Sequence, residues 1–296
     1  MQTLETLKRK IRSANELHSV VRTMKALAAV NIRQYEKAVE SLEDYNRTTL
    51  LALQVVLRDR VERGSASTGG EERAQLGAVV FGSDQGMCGQ LNEQIARHTL
   101  RSMDELGVGR DRRTILVVGE RVGSRLRFDG EPVEDILPVP GSIGGVTPAV
   151  QDLLLRIQAW DAERNIRQVV LYYSEQLSGA SYRPQSLRLL PVDAEWLARL
   201  EHRQWPTHVL PTFTMEWGAL FSALIRQYLF VSLYRAFAES LASENASRLA
   251  SMQGAERNIE DRLQQLTGQF HQQRQASITE ELLDIVSGFE ALQGSS

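Results

Sequence analysis

The residues best placed for chemistry lie in FGSDQGMCGQLN, residues 81–92, a glycine-bearing turn between an apolar run and a helical pattern. Backbone N–H groups at such a strand-to-helix junction can hold an anion. The spacing fits neither GxGxxG nor a phosphate loop ending in Lys-Ser/Thr, so neither a dinucleotide site nor a P-loop site is supported. Asp84 can cap a turn, and Gly86 and Gly89 allow a tight backbone. The stretch therefore reads first as a structural turn and second as a ligand site. GSIGG, residues 141–145, reads as a flexible loop ahead of a helix. The five histidines, at positions 18, 98, 202, 208 and 271, are dispersed without metal-ligand spacing. Cys88 is the one cysteine, which excludes an intrachain disulfide and a four-cysteine zinc site. With no histidine nearby it reads as a small packed residue and not a nucleophile. Glu71–Glu72 and Glu280–Glu281 read as solvated charge. No active site assembles from these residues, and no cofactor or metal is expected.

The elements that carry these residues divide sharply along the chain. All eight prolines fall between 132 and 211, and glycine is absent from residues 1–63 of the 296. Such a distribution describes a broken middle between two unbroken ends. In the first segment Leu7, Ala14, Val21, Ala28, Tyr35, Leu42, Thr49 and Val56 recur every seven residues. A second row runs through Leu4, Ile11, His18, Lys25, Ile32, Val39, Asn46 and Leu53, with polar breaks at His18, Lys25 and Asn46. Together they form a coiled-coil seam of about eight heptads, and a helix over 3–60 would be roughly 85 Å long. The last segment repeats this with Leu224, Val231, Ala238, Asn245, Met252, Ile259 and Leu266, a helix over 212–288 that Gly254 and Gly268 weaken without breaking. Two seams at opposite ends of the chain predict an antiparallel pair. Residues 213–241 are apolar on nearly every face and should be buried. Residues 243–281 are polar, which reads first as solvent exposure and second as a helix held in a sleeve it must not grip too tightly.

Between the ends, apolar runs alternate with helical patterns. Strands are expected at 76–81, 114–118, 133–139, 168–173 and 186–191, and helices at 91–106, 121–128 and 147–163, with a short helix at 194–203. The alternation predicts a mostly parallel sheet. The expected partition is an N-terminal coiled-coil helix at 1–62, a linker at 63–75, an α/β domain at 76–204 and a C-terminal coiled-coil helix at 205–296.

Lys plus Arg is 34 and Asp plus Glu 37, a net charge of −3, which gives no global pull toward nucleic acid or an anionic membrane. No stretch is apolar and long enough to span a bilayer. The first residues lack the apolar core of a secretory signal. Residues 1–40 carry an excess of 8 − 4 = +4, which is either a solvated helix face or a basic strip facing acidic surfaces of an enclosing partner.

Five fragments, in order, resemble the gamma subunit of rotary F-type ATP synthases. They are KRKIRSANELHSVVRTMKALAAVNIRQ (8–34), SDQGMCGQLN (83–92), LYYSEQLSGASYRPQSLRLLPV (171–192), SENASRLASMQGAERN (243–258) and RQASITEELLDIVSGFEAL (274–292). The resemblance implies an antiparallel coiled coil of the two termini with a Rossmann-like α/β domain at its base. It implies a rotor shaft: the coiled coil inside a ring of three alpha and three beta subunits, the base against epsilon and the membrane c-ring, and catalysis in beta. It places Met24 and Lys25 by the lower lobes of beta, Arg248 on the facing helix, and Arg274, Gln275, Thr279 and Glu281 near the catch loops of beta. It also implies a peripheral position on the cytoplasmic face of a bacterial plasma membrane. Asn31, Gln85, Gln90, Phe289 and Glu290 depart from the family pattern and point to a divergent, alternative or sodium-type branch. The rival readings are a small α/β nucleotide-dependent enzyme resting on the 81–92 turn, and a coiled-coil adaptor unrelated to rotation.

Overall fold

The computed structural model describes residues 3–61, 75–178, 181–206 and 209–293. The expected linker at 63–75 lies almost wholly outside them. Five strands form one sheet in the order β3-β2-β1-β4-β5. They are β1 (Leu76–Phe81), β2 (Arg113–Val118), β3 (Val133–Leu137), β4 (Gln168–Ser178) and β5 (Ser181–Leu190). The first four are mutually parallel, and β5 returns antiparallel to β4. The central strand, LGAVVF, is buried at every position, as a strand covered on both faces must be.

Helices α2 (Leu91–Glu105) and α3 (Glu120–Phe128) cover one face through a core that includes Ile95, Met103, Val122 and Leu126. The other face packs against α4 (Val146–Arg164), where Val150, Leu153 and Trp160 meet Val79, Leu116 and Leu171. A Cβ on Gly77 would lie 2.6 Å from the Trp160 ring, so glycine permits that close approach. The same core takes in Tyr35 of α1 (Leu4–Val61) and Leu233, Phe237 and Leu241 of α6 (Trp217–Gln293), with Phe81 and Phe237 edge to face at 4.8 Å. A third cluster joins Leu53 and Leu57 of α1 to Leu200 of α5 (Ala194–His202) and to Phe221 and Leu224 of α6.

The chain divides into two compact units, Met1–Leu27 with Leu249–Ser296, and Ala28–Arg248, each holding part of both long helices. Within each unit the helices run antiparallel. In the first, His18 meets Glu260 and Lys25 meets Glu256; in the second, Asn31 meets Asn245 and the Trp217 indole N–H donates to the Val56 carbonyl. The seam residues Leu7, Val21, Ala28, Tyr35, Thr49 and Val56 are buried, as a sevenfold core row requires. The Thr3 hydroxyl caps the first turn of α1 by accepting from the Thr6 N–H, and the Glu216 carboxylate accepts from Gly218 and Ala219 at the start of α6.

Three differences from the sequence reading have physical causes. Strands β4 and β5 extend well past the expected 173 and 186, because their outer halves pair with each other as a two-stranded arm whose exposed side chains carry no apolar signal. Strand β3 stops at Leu137, ahead of Pro138, which has no N–H for a ladder. The burial of α6 is also shifted. Residues 236–247 are buried continuously, including the polar run 243–247, whereas the bulkier residues 217–230 are mostly half-buried.

Candidate functional site

In an open doubly wound sheet a ligand settles at the carboxyl ends of the strands where the strand order reverses. Here that point lies between β1 and β4, and α6 fills it. Phe237 packs on Phe81 at the end of β1. The Ser243 hydroxyl donates to the Ser174 carbonyl of β4 at 2.9 Å, and the Ser247 hydroxyl donates to the Cys88 carbonyl of the 81–92 turn at 2.6 Å. The turn satisfies itself in the same way. The Asn92 side chain accepts from the Ser83 N–H and donates to the Ser83 hydroxyl, and Asp84 accepts from the Glu120 N–H at 2.9 Å and the Val139 N–H at 2.8 Å. Gly119, at φ +114°, lies so close to the turn that a Cβ would stand 2.7 Å from the Ser83 nitrogen. The carboxylate of Asp84 therefore ties the start of α3 and the end of β3 to the turn, and the Ser83 N–H is taken up by Asn92.

Beside the plugged crevice the buried stretch of α6 carries two ion pairs, Arg235–Glu239 and Arg248–Glu244, each one helical turn long. Burial raises the carboxyls of Glu239 and Glu244 above their ordinary value, against the pull of the paired arginines. The Tyr173 hydroxyl is pushed up to about 12 by burial and by the Glu239 carboxylate. Glu244 Oε2 and Arg248 Nε have no hydrogen-bond partner among the described residues. They border a cavity of about 200 Å³ lined also by Asn31, Tyr35, Asp84 and Gln85.

The helical unit of 1–27 and 249–296 has a different surface. Met24 and Lys25 are half-buried, and the Lys25 ammonium pairs with the Glu256 carboxylate. The hydrogen bond from Lys25 holds the Glu256 carboxyl below its ordinary value. Arg274, Gln275, Thr279 and Glu281 are all exposed on one stretch of α6, where the Thr279 hydroxyl donates to the Gln275 carbonyl. Ile278, Leu282, Leu283, Ile285 and Val286 are exposed alongside them. So many large apolar side chains in one exposed stretch mark a surface that something else covers. Of the residues singled out from sequence, Met24 and Lys25 share one turn of α1 and Arg274, Gln275, Thr279 and Glu281 share one stretch of α6. Arg248 is different: its side chain is 11% exposed and committed to Glu244.

The family model described as ATP synthase matches residues 3–292. The chain belongs to the ATP synthase gamma family. Curated relatives agree over almost the full length of both chains. It is 28% identical to an ATP synthase gamma chain of Rhizobium johnstonii, covering 99% of this chain and 100% of that one. It is 24% identical to an ATP synthase gamma chain of Nautilia profundicola with the same coverage. Its fold is that of a chain in the Euglena gracilis mitochondrial ATP synthase OSCP/F1/c-ring structure, with a TM-score of 0.66, 17% identity and coverage of 99% and 95%. The family's role is that of a rotor subunit, and the long helical pair is the element that role needs.

Two features of the site were missed by the sequence reading. One is the plugging of the crevice by Ser243 and Ser247, whose hydroxyls point to partners 69 and 159 residues away in the chain. The other is a cluster in which His18 of α1 meets Glu256 and Glu260 of α6. The i, i+4 spacing of the two glutamates was readable as a single helix face. Its partner was not, because His18 lies 242 residues from Glu260.

Proposed function

We propose that this chain is the central shaft of a rotary ATP synthase, that it passes torque between a membrane c-ring and the catalytic beta subunits of an alpha–beta ring, and that it has no active site of its own. The observation that carries the reading is the occupation of the switch-point crevice by α6. A Rossmann-like sheet whose ligand position is filled by its own helix has exchanged a binding site for a mechanical joint, since turning α6 must turn the sheet. That counts against the nucleotide-dependent enzyme resting on the 81–92 turn.

The proposed ring contacts are Met24 and Lys25 on α1 and Arg274, Gln275, Thr279 and Glu281 on α6, with Arg248 at the last buried turn before the exposed stretch. The exposed Ile278, Leu282, Leu283, Ile285 and Val286 support an enclosing partner. A shaft that shifts three beta sites in turn has to interact differently with each of them, because equal affinity for every state would shift nothing. No described helix is long and apolar enough to cross a membrane. We accordingly propose a peripheral location, with the base of the shaft against epsilon and the c-ring at the cytoplasmic face of a bacterial plasma membrane.

The isolated chain should hydrolyse no ATP and show no tight site in a nucleotide titration. Robust hydrolysis by the purified chain would sink the reading. In the assembled enzyme, deletion of residues 274–296 should impair coupling or assembly. Met24→Lys should lower the coupling of ion flow to synthesis while leaving assembly intact.

A further inference from the structure

We propose that His18, Glu256 and Glu260 form a binding site for one divalent transition-metal ion, with zinc the best fit, that clips α1 to α6 inside the helical unit of 1–27 and 249–296. Independently of the rotor reading, the inference rests on ligand type, geometry and the position of His18 in the seam.

One ligand atom from each of the three side chains lies within 4.8 Å of the other two. Glu256 and Glu260 stand one turn apart on the same face of α6, and His18 reaches that face from α1. The His18 Nε2 to Glu260 Oε1 separation is 3.3 Å. Around a tetrahedral zinc with ligand bonds of about 2.0–2.1 Å, neighbouring ligand atoms stand about 3.3–3.4 Å apart. The pair thus already spans one edge of a zinc tetrahedron, and Glu256 completes the set by a rotamer adjustment. The fourth position is left to water. An imidazole beside two carboxylates suits zinc and its first-row neighbours better than magnesium or calcium, which take oxygen ligands only.

The surroundings fit the same purpose. Lys25 engages Oε2 of Glu256 and leaves Oε1 to coordinate, so its ammonium fixes the orientation of that carboxylate. The side chains of His18 and Glu260 are 26% and 54% exposed, which gives the ion an entry path. His18 also occupies a seam position, where an apolar side chain would ordinarily pack between the helices. An ion held there would add coordination to the existing His18–Glu260 contact and link residues from the two ends of the chain. Because it binds the folded unit and not the unfolded chain, it raises the stability of the pair by mass action.

The test uses the full chain without an affinity tag, titrated with zinc chloride by calorimetry near neutral pH. A parallel cobalt titration is read by visible absorption. One equivalent of either ion is expected to bind, with a tetrahedral cobalt spectrum. His18→Ala and Glu260→Gln should each weaken binding at least about tenfold, while circular dichroism shows unchanged helix content. X-ray absorption of the zinc-loaded chain should give a shell of one imidazole and two carboxylates. Absence of stoichiometric binding would overturn the proposal. So would binding that survives both substitutions, or a shell with two or more imidazoles, since the other four histidines remain in every variant.

Discussion

The stretch of α6 up to Arg248 and the stretch beyond it share one helix and one heptad spacing, yet they are built for opposite purposes. Residues 236–247 are buried without interruption, and most of them are small: Ala236, Ala238, Ser240, Ala242, Ser243, Ala246 and Ser247. Small side chains let the helix backbone approach the sheet, and the Ser243 and Ser247 hydroxyls bond to sheet and turn carbonyls. Beyond Arg248 only Met252 and Leu266 are buried among the described side chains, and most positions face outward. The first stretch is an anchor held by packing and by the hydrogen bonds of Ser243 and Ser247. The second turns most of its side chains outward and contributes little to its own fold. A buried Leu or Phe adds about 1.5–3 kcal/mol and an exposed one almost nothing, so stability and function should separate along this helix.

The comparison can be broken most directly at the anchor. Phe237→Ala removes the ring that packs on Phe81 and should cost about 3–5 kcal/mol in chemical denaturation of the full chain. A loss below about 1 kcal/mol would mean that α6 is not anchored there. Next in size is Arg248→Met, which leaves Glu244 buried without its counter-ion and should cost about 3 kcal/mol at neutral pH. That loss should shrink on acidification. Burial holds the Glu244 carboxyl above its ordinary 4.5, so the unfolded chain releases this proton first. The stability tied to the protonated group is present below that ordinary value and lost as pH rises through the folded one. Glu244→Gln should therefore flatten the pH dependence of stability relative to the unaltered chain.

Smaller effects sharpen the exposed side of the contrast. Gly254 lies in the helix interior with open space around the site of a Cβ, so Gly254→Ala should stabilise the chain by about 0.5–1 kcal/mol. Arg274→Ala and Gln275→Ala should change stability by no more than about 0.5 kcal/mol in the same denaturation assay. In the assembled enzyme both should nonetheless lower the coupling of ion flow to ATP turnover. A large loss of stability at these positions would erase the distinction between anchor and contact surface.

Much of this fold was legible in the sequence because periodicity reports burial. The sevenfold rows through Leu7 and Leu224, the buried run 76–81 and the alternation of strands and helices carry that signal, and the fold has those elements. Polarity misled where partners were distant. The run from Ser243 to Ser247 reads as solvent-exposed, but it is buried because its hydroxyls meet carbonyls of β4 and of the 81–92 turn. Arg248, marked by resemblance as a contact residue, pairs with Glu244 one helical turn away on the same helix. The cluster of His18, Glu256 and Glu260 could not be read at all, since its members come together only when the two ends of the chain pair.

Rotation itself tests the central claim most directly. The chain would be assembled with its alpha and beta partners, the ring fixed to a surface and a bead attached to the exposed side of the α/β domain. Supplied with ATP, the bead should turn in one direction with threefold pauses. ATP turnover by the same complexes with a stationary bead would contradict the account.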